Sequence, residues 1–300
     1  MKYGIREICE VVFRAKSKMT VGNKVFYKHE PVIYFDSLKT SSLEGTATTV
    51  YAQGGRGNAR LAAWEGERTV TFTMEDALIS TLGLAILTGA GVMDATEGKP
   101  VIQHIMEPGV KINTDLSIDL IETPYIDPEH KDEHFIYVML LDDNGNVDSE
   151  PYIYTVKDGS VVPSEDVAHD DNLVAGKYAM VDYYTKRTTG AQEITITPDK
   201  FGGNFYVEAS TLFRDAATGK DMPAEFIIPN AKVQSNFTFT MASSGDPSTF
   251  TFTMDAFPDY TRFNRSEKVF SAIQIIEDVT GNDDGKRTAT DDSLVPGEDA

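Results

Sequence analysis

The sequence predicts a mainly β protein, a sandwich or barrel with one flanking α-helix, and three observations support this fold class. The word Phe-Thr-Phe-Thr-Met occurs twice within residues 237–254, and a relative, Val-Thr-Phe-Thr-Met, occurs at residues 70–74. Short alternating segments separated by turn residues fill the second half of the chain, which is typical of antiparallel sheets. Clear helical spacing of apolar residues occurs at residues 5–13 and 78–86, and residues 266–279 fit either a helix or a strand, of which we favour the strand.

At the N-terminus, five apolar residues share one helical face, which predicts an amphipathic segment that packs on its own domain or reaches a neighbour. These residues are Ile5, Ile8, Cys9, Val12 and Phe13. Strands are expected between residues 25 and 35, with a break at residues 29–31, His-Glu-Pro.

Residues 36–63 contain few apolar side chains and end in a glycine-rich run at positions 53–58. This composition predicts a long loop. A loop of such length in a compact domain usually has a function.

A strand is predicted at residues 64–74, with Trp64 anchoring the core. An α-helix is predicted next, with acidic residues 75–76 at its start, where the helix macrodipole favours negative charge. The apolar face of this helix comprises Leu78, Leu82, Ala85 and Ile86, and the glycines at 89 and 91 end it.

The two copies of the repeated word predict a β-hairpin. Phe and Met alternate with Thr, so an extended chain has one apolar face and one hydroxyl face. The spacer contains Gly245, Asp246 and Pro247, which favour a turn. Further strands are predicted at 111–122, 135–141, 151–157, 177–184, 193–197, 204–213, 224–229 and 266–279, and the acidic residues 280–300 are expected to form a disordered, solvated tail.

Composition limits the possible functions. The chain has 300 residues, enough for one large or two modest domains, and a net charge of −20 from 27 basic and 47 acidic residues. Such a charge disfavours ordinary nucleic-acid binding. A single cysteine, Cys9, fits a reducing compartment, and neither a signal peptide nor a membrane span is expected.

Motifs for catalysis or metal binding are incomplete. Residues 54–58 lack the Gly-Lys-Ser/Thr of a phosphate loop, and residues 142–148 lack the glycine and closing glutamate of a calcium loop, so a hairpin turn is expected there. His130 and His134 do not flank the sequence of a zinc helix, and no Gly-x-Ser-x-Gly occurs. We therefore expect a protein that is not an enzyme, with no catalytic residue, metal or cofactor.

Two segments resemble a bacteriophage major tail tube protein. Residues 30–80 contain a strand that ends in Met-Glu-Asp-Ala and leads into a helix. Residues 202–259 contain Ile-Ile-Pro-Asn-Ala-Lys and a Gly-Asp-Pro-Ser turn that closes on Phe-Thr-Met-Asp-Ala. Together the two segments cover over a third of the chain. The resemblance consists of short motifs of strands and turns and includes no catalytic residues.

The resemblance implies a tail-tube-type β-sandwich or barrel whose strands close into hexameric rings with those of other subunits. The rings stack into a hollow tube, first around a tape measure protein and then around DNA in transit, with terminator and tip proteins at the ends. This places the protein in the virion tail, assembled in the host bacterial cytoplasm, without membrane contact. The candidate assembly residues are Ser41, Gly45, Tyr51, Gly54, Arg56 and Asn58 for contacts between rings, and Thr238, Thr240, Thr251 and Thr253 for a polar face on the lumen or a neighbour.

The predicted tube domain is discontinuous, comprising residues 1–121 and 190–279, and residues 122–189 form a β-rich insertion that the family pattern does not include. An insertion outside the tube would collide with a contractile sheath, so we expect a non-contractile tail. Two alternatives stay open at this point. One is another virion component, a capsid decoration or baseplate protein, and the other is a carbohydrate-binding β-sandwich with an aromatic platform.

Overall fold

A computed structural model describes residues 2–5, 7–130, 133–238, 241, 243–244 and 249–276. This part of the chain is mainly β, with one short helix, α1 (Thr81–Thr88), and this confirms the predicted fold class. The strands are β1 (Tyr3–Ile5), β2 (Glu10–Ala15), β3 (Met19–Val21), β4 (Lys24–Phe26), β5 (Pro31–Phe35), β6 (Leu38–Gly54), β7 (Ala59–Asp76), β8 (Gly91–Asp94), β9 (Val101–Lys111), β10 (Ile136–Leu140), β11 (Tyr152–Lys157), β12 (Ser160–Pro163), β13 (Tyr178–Arg187), β14 (Gln192–Thr195), β15 (Asn204–Asp215), β16 (Asp221–Val233), β17 (Phe250–Ala256) and β18 (Ala272–Ile275).

The chain divides into two units. Unit 1 contains Met1–Val92 and Ile194–Ala300, and unit 2 is Met93–Glu193. Unit 2 therefore begins earlier than the predicted insertion at 122–189, because β9 pairs with β13 along nine registered residue pairs and belongs to the same sheet. Residues 277–300, which include the predicted acidic tail, lie outside the described residues.

Unit 1 is built on a nine-stranded sheet in the order β5-β2-β15-β16-β17-β7-β6, with β1 beside β15 and β18 beside β16. Alternating side chains on these strands face one apolar core, which includes Phe13, Phe72, Val207, Phe252 and Met254. On the opposite face, β7 and β17 carry Thr71, Thr73, Glu75, Thr251 and Thr253, whereas β2, β15 and β16 also carry Val12, Tyr206 and Ile227.

The predicted N-terminal helical segment is wrong, because residues 3–5 and 10–15 form β1 and β2. Val11, Phe13 and Ala15 are fully buried, and Val12 and Arg14 between them face the other way. Apolar residues alternate within 9–15 with the period of a β-strand. This pattern fits the structure, in which β2 pairs with β15 on one side and β5 on the other.

The predicted helix exists but starts later than expected. The side chain of Ser80 accepts a hydrogen bond from the Gly83 N–H and caps α1, and Gly89 ends it with a positive φ of 70°. Glu75 and Asp76 are the last residues of β7, where the Asp76 carboxylate accepts from the Ser37 hydroxyl and is held within the sheet.

The predicted hairpin between the two copies of the repeated word lies partly outside the described residues. The second copy lies in β17 and pairs with the relative of the word in β7, in the register Phe252↔Met74 and Met254↔Phe72. Phe237 and Thr238 of the first copy lie in no strand, and Phe239 and Thr240 lie outside the described residues. All four apolar side chains of this pairing enter one core. On its other side, β17 pairs antiparallel with the end of β16, in the register Val233↔Met254.

Unit 2 contains a five-stranded sheet in the order β12-β11-β10-β13-β9 with its own apolar core. The predicted strand at 111–122 is wrong, because β9 ends at Lys111 and the chain turns back through an Ile112↔Ile118 bridge. Other predicted strands of this unit are confirmed, with β10, β11 and β13 close to their expected positions.

Replacing Phe252 with alanine is expected to lower the free energy of unfolding by about 3–5 kcal/mol, because the ring is 1 % exposed and would leave a cavity beside Phe35. Urea denaturation followed by circular dichroism measures this change. Leu61→Ala, at a side chain that is 69 % exposed, is the control and should change stability by less than about 0.5 kcal/mol. An equally small effect at Phe252 would contradict the core assignment.

Candidate assembly surfaces

A long two-stranded arm replaces the predicted loop at residues 36–63. β6 and β7 pair from Leu38↔Asp76 to Gly54↔Ala59 with three shifts of register, and four residues at 55–58 close the hairpin. Gly55, Gly57 and Asn58 have positive φ values of 78°, 90° and 51°, which glycine and asparagine adopt most readily.

The exposure of the hairpin changes along its length. From Phe72 to Asp76, every second residue of β7 is buried in the core of unit 1, whereas all residues from 59 to 69 are exposed. We define the arm as residues 44–69, the part in which neither face of the hairpin is covered. The low apolar content of this segment thus reflects exposure on both faces of the hairpin. Its threonines favour the extended conformation because they are branched at Cβ.

The distal part of the arm bears large apolar side chains in solvent. Val50 and Trp64 are opposite each other in register and are 62 % and 58 % exposed, so the prediction that Trp64 anchors the core is wrong. Leu61 is 69 % exposed, and Tyr51 is 40 % exposed beneath the guanidinium of Arg60, 4.0 Å from the ring centroid. Exposed apolar patches of this kind are candidate surfaces for contacts with other molecules.

The predicted inter-ring residues are distributed along the hairpin. Gly45, Tyr51 and Gly54 lie on the arm, and Arg56 and Asn58 lie in its terminal turn. Ser41 is instead at the base, where its hydroxyl accepts from the backbone N–H of Cys9 at 3.2 Å. Sequence reasoning missed Val50, Leu61 and Trp64, whose signal was a cluster of large apolar residues in an otherwise polar segment.

Two of the four threonines of the repeated word lie on the polar face that β7 and β17 form. Thr251 and Thr253 of β17 are opposite Glu75 and Thr73 of β7, and the hydroxyl of Thr249 donates to Glu75 just before the strand. Thr238 lies in no strand, and Thr240 lies outside the described residues. The face that combines β7 and β17 is therefore hydroxyl-rich, as the alternation predicts.

Two sheet edges flank the β15–β16 hairpin near its turn. β1 lies beside β15, and β18 lies beside β16, each with no further strand paired to it in the described part of the chain. Ile5 of β1 is 63 % exposed, and Ile273 of β18 is 54 % exposed. Edges with apolar side chains are ready to pair with another chain.

The residues considered for metal binding are held by their own loops. The Asp142 carboxylate accepts from the backbone N–H groups of Asn144 and Asn146, which lowers the pKa of this carboxyl and confirms the hairpin turn. Among the described residues, no group of three His, Cys, Asp or Glu side chains could hold a metal ion. No helix within the same residues is long and apolar enough to cross a membrane.

The described residues thus combine a nine-stranded sheet, an exposed two-stranded arm and two edge strands with exposed apolar side chains. The model of the YomU/Tube protein family matches residues 19–267, and the chain belongs to this family. The family comprises structural tube proteins rather than enzymes, so the expected resemblance to a phage tube protein is confirmed. No curated protein matches the chain.

Trp64→Ala is expected to change the free energy of unfolding by less than about 0.5 kcal/mol, because the indole contributes little to the core. Since Trp64 is the single tryptophan, its fluorescence isolates the arm. We expect acrylamide to quench this emission readily in the unassembled chain. Emission typical of a buried indole, or a stability loss of several kcal/mol, would contradict an exposed arm.

Proposed function

We propose that this protein is the major tail tube subunit of a bacteriophage, which self-assembles into stacked hexameric rings around a lumen for DNA. Membership of the tube family supports the class of protein. The single observation that favours stacking is the arm, a hairpin that extends beyond its own core and has uncovered Val50, Leu61 and Trp64 side chains.

Ring closure follows from the two open edges. β1 and β16 both run antiparallel to β15, and β18 runs antiparallel to β16, so β18 is antiparallel to β1. The β18 edge of one subunit can therefore add to the β1 edge of the next and continue the antiparallel order. The two edges differ, so the contact is head-to-tail, the type that generates rings.

The arm provides the contact between rings. Its two strands satisfy each other's backbone hydrogen bonds, so it extends without support from its own core. Burying the apolar side chains of the arm on the next ring would stabilise the stack by about 25 cal/mol for each Å² removed from water. The predicted residues Gly45, Tyr51, Gly54, Arg56 and Asn58 fall on this element.

The hydroxyl-rich face of β7 and β17 is the proposed lining of the lumen. The acidic charge of the chain is unevenly placed, because residues 93–193 contain 21 acidic and 7 basic residues. Residues 1–92 and 194–276 together contain 18 of each sign. A lumen formed by unit 1 is thus close to neutral overall and polar, which allows DNA to pass without strong attraction or repulsion.

The proposed partners are other copies of the chain, a tape measure protein, terminator and tip proteins, and DNA in transit. The family implies a component of the virion tail. Assembly in the host cytoplasm and a non-contractile tail complete the proposal. Membership of the tube family favours it over a decoration, baseplate or carbohydrate-binding protein.

Shortening the arm should preserve the fold and prevent tube formation. The variant joins Thr46 to Thr69 through Asn-Gly, because these residues face each other in register and their hydroxyl oxygens lie 2.6 Å apart. Negative-stain electron microscopy over a concentration series, with light scattering, compares it with the intact chain. We expect tubes from the intact chain and rings or single subunits from the variant.

Substitutions separate the apolar contact from the length of the arm. The test variant is Val50→Ser/Leu61→Ser/Trp64→Ser on the arm, and the matched control is Ile121→Ser/Val147→Ser/Ile196→Ser at exposed positions elsewhere. The test variant should fail to form tubes while the control assembles normally. Tubes of normal length from the shortened arm would exclude it as the stacking element.

Blocking the β18 edge should prevent ring closure. Ile273→Lys/Ile275→Lys places two charges on an edge strand, which disfavours strand addition, and both side chains are at least 36 % exposed. Analytical ultracentrifugation should show single subunits with unchanged circular dichroism. Normal rings from this variant would show that closure uses a different edge.

A further inference from the structure

A basic and aromatic surface interrupts an otherwise acidic protein. Residues 14–30 and 257–270 of unit 1 contain eight basic and three acidic residues, while the whole chain has a net charge of −20. We define the basic surface by six exposed side chains, those of Lys28, Tyr260, Arg262, Phe263, Arg265 and Lys268. Tube architecture, as proposed above, does not require this surface.

Several contacts bring the two segments together. The Lys16 ammonium lies 2.5 Å from the Asp259 carboxylate, and the Arg262 backbone N–H donates to the Tyr206 hydroxyl at 3.2 Å. The His29 ring packs edge-on against Tyr206, with 6.2 Å between ring centroids. Residues 257–270 thus lie against the turn between β4 and β5.

The cations of this surface are available for a ligand. Within the described part of the chain, no carboxylate forms an ion pair with Lys28, Arg262 or Arg265. Burial lowers the pKa of His29, and the positive charges of Arg262, Lys28, Arg14 and Arg265 lower it further. His29 Nδ1 is a buried polar atom with no hydrogen-bond partner among those residues.

Exposed aromatic rings alternate with these cations. Phe263 is 87 % exposed and lies 5.3 Å from the Arg262 guanidinium, and Tyr260 is 44 % exposed and lies 5.6 Å from the Lys268 ammonium. Such a surface can bind an acidic chain that also offers a few apolar side chains.

We propose that the acidic C-terminal segment of the same chain, residues 277–300, docks on this surface. The segment contains eight acidic and two basic residues, a net charge of −6, and its Asp and Glu occur as four adjacent pairs. Val279, Leu294 and Val295 are apolar residues that suit the exposed rings. Charge complementarity therefore favours this segment, and tethering gives it a high effective concentration.

The segment is long enough to reach its site. The last described residue, Ile276, donates its N–H to the Pro223 carbonyl at one end of β16. Ala231, near the other end, is opposite Phe205, which precedes Tyr206, whose hydroxyl accepts from the Arg262 N–H of the basic surface. The eight steps from Pro223 to Ala231 span about 26 Å, whereas 24 extended residues span up to about 80 Å.

The test uses the full chain with its acidic segment neutralised, Asp→Asn and Glu→Gln at the eight acidic positions of 277–300. A fluorescein-labelled peptide of the native 277–300 sequence is titrated into this variant and into the native chain, with fluorescence anisotropy as readout. We expect the peptide to bind the neutralised chain at least about tenfold more tightly, because the native segment competes in the native chain. Binding should weaken with salt.

Charge reversal identifies the surface. Arg262→Glu/Arg265→Glu in the neutralised chain should abolish peptide binding, and Lys200→Glu/Lys220→Glu, an equal charge change at other exposed positions, should not. Equal affinity for the native and neutralised chains, or loss in both reversed variants, would overturn the proposal. A neutralised chain that does not bind the peptide but binds a DNA duplex would also overturn the proposal, because the basic surface would then be a nucleic-acid-binding surface.

The native chain provides a second readout. A docked acidic segment should raise the pKa of His29, measured by NMR titration, above its value in the neutralised chain. An identical pKa in the two proteins would contradict docking. Neither measurement requires ring or tube formation, so failure here leaves the proposed tube function untouched, and failure of tube assembly leaves this docking untouched.

Discussion

The pairing of β17 with the inner half of β7 is the constraint on which the rest of unit 1 depends. It joins Phe252 to Met74 and Met254 to Phe72, residues far apart in sequence, and places all four side chains in one core. With β17 on one side and β6 on the other, β7 becomes an interior strand of the sheet. β7 can then continue past the limit of the core, since β6 pairs with it along the arm.

Local patterns in the sequence predicted the elements better than their partners. The alternation of apolar and polar residues within 204–229 located β15 and β16, and helical spacing followed by two glycines located α1. Both patterns arise because an element buried on one face repeats its apolar side chains with the period of a strand or a helix. The spacing at residues 5–13 fits both a helix and interrupted strands, and only long-range pairing with β15 resolves it. The same limit explains the repeated word, since alternation specifies a face and leaves the partner strand open.

The arm escaped prediction for a different physical reason. Hydrophobic periodicity arises when one face of a strand is buried. A hairpin that is exposed on both faces lacks this periodicity, so the composition of its strands resembled that of a loop. The tip glycines were visible, but the residues proposed for contacts between rings, Val50, Leu61 and Trp64, cannot be told from core residues by their side-chain type, and only the structure shows that they are exposed. Solvent exposure, which only the structure gives, distinguishes a core residue from a contact residue.

Acidic residues are distributed unevenly between the part of the chain with exposed apolar surfaces and the rest of it. Open edges and an apolar arm are hazards for a free subunit, because both invite unspecific association. Unit 1, which contains them, has equal numbers of acidic and basic residues up to position 276, so charge opposes its self-contact little. The excess acid lies in unit 2 and in residues 277–300, and an excess of one charge opposes association. The proposed assembly surfaces and most of the excess acidic charge thus occupy different parts of one chain.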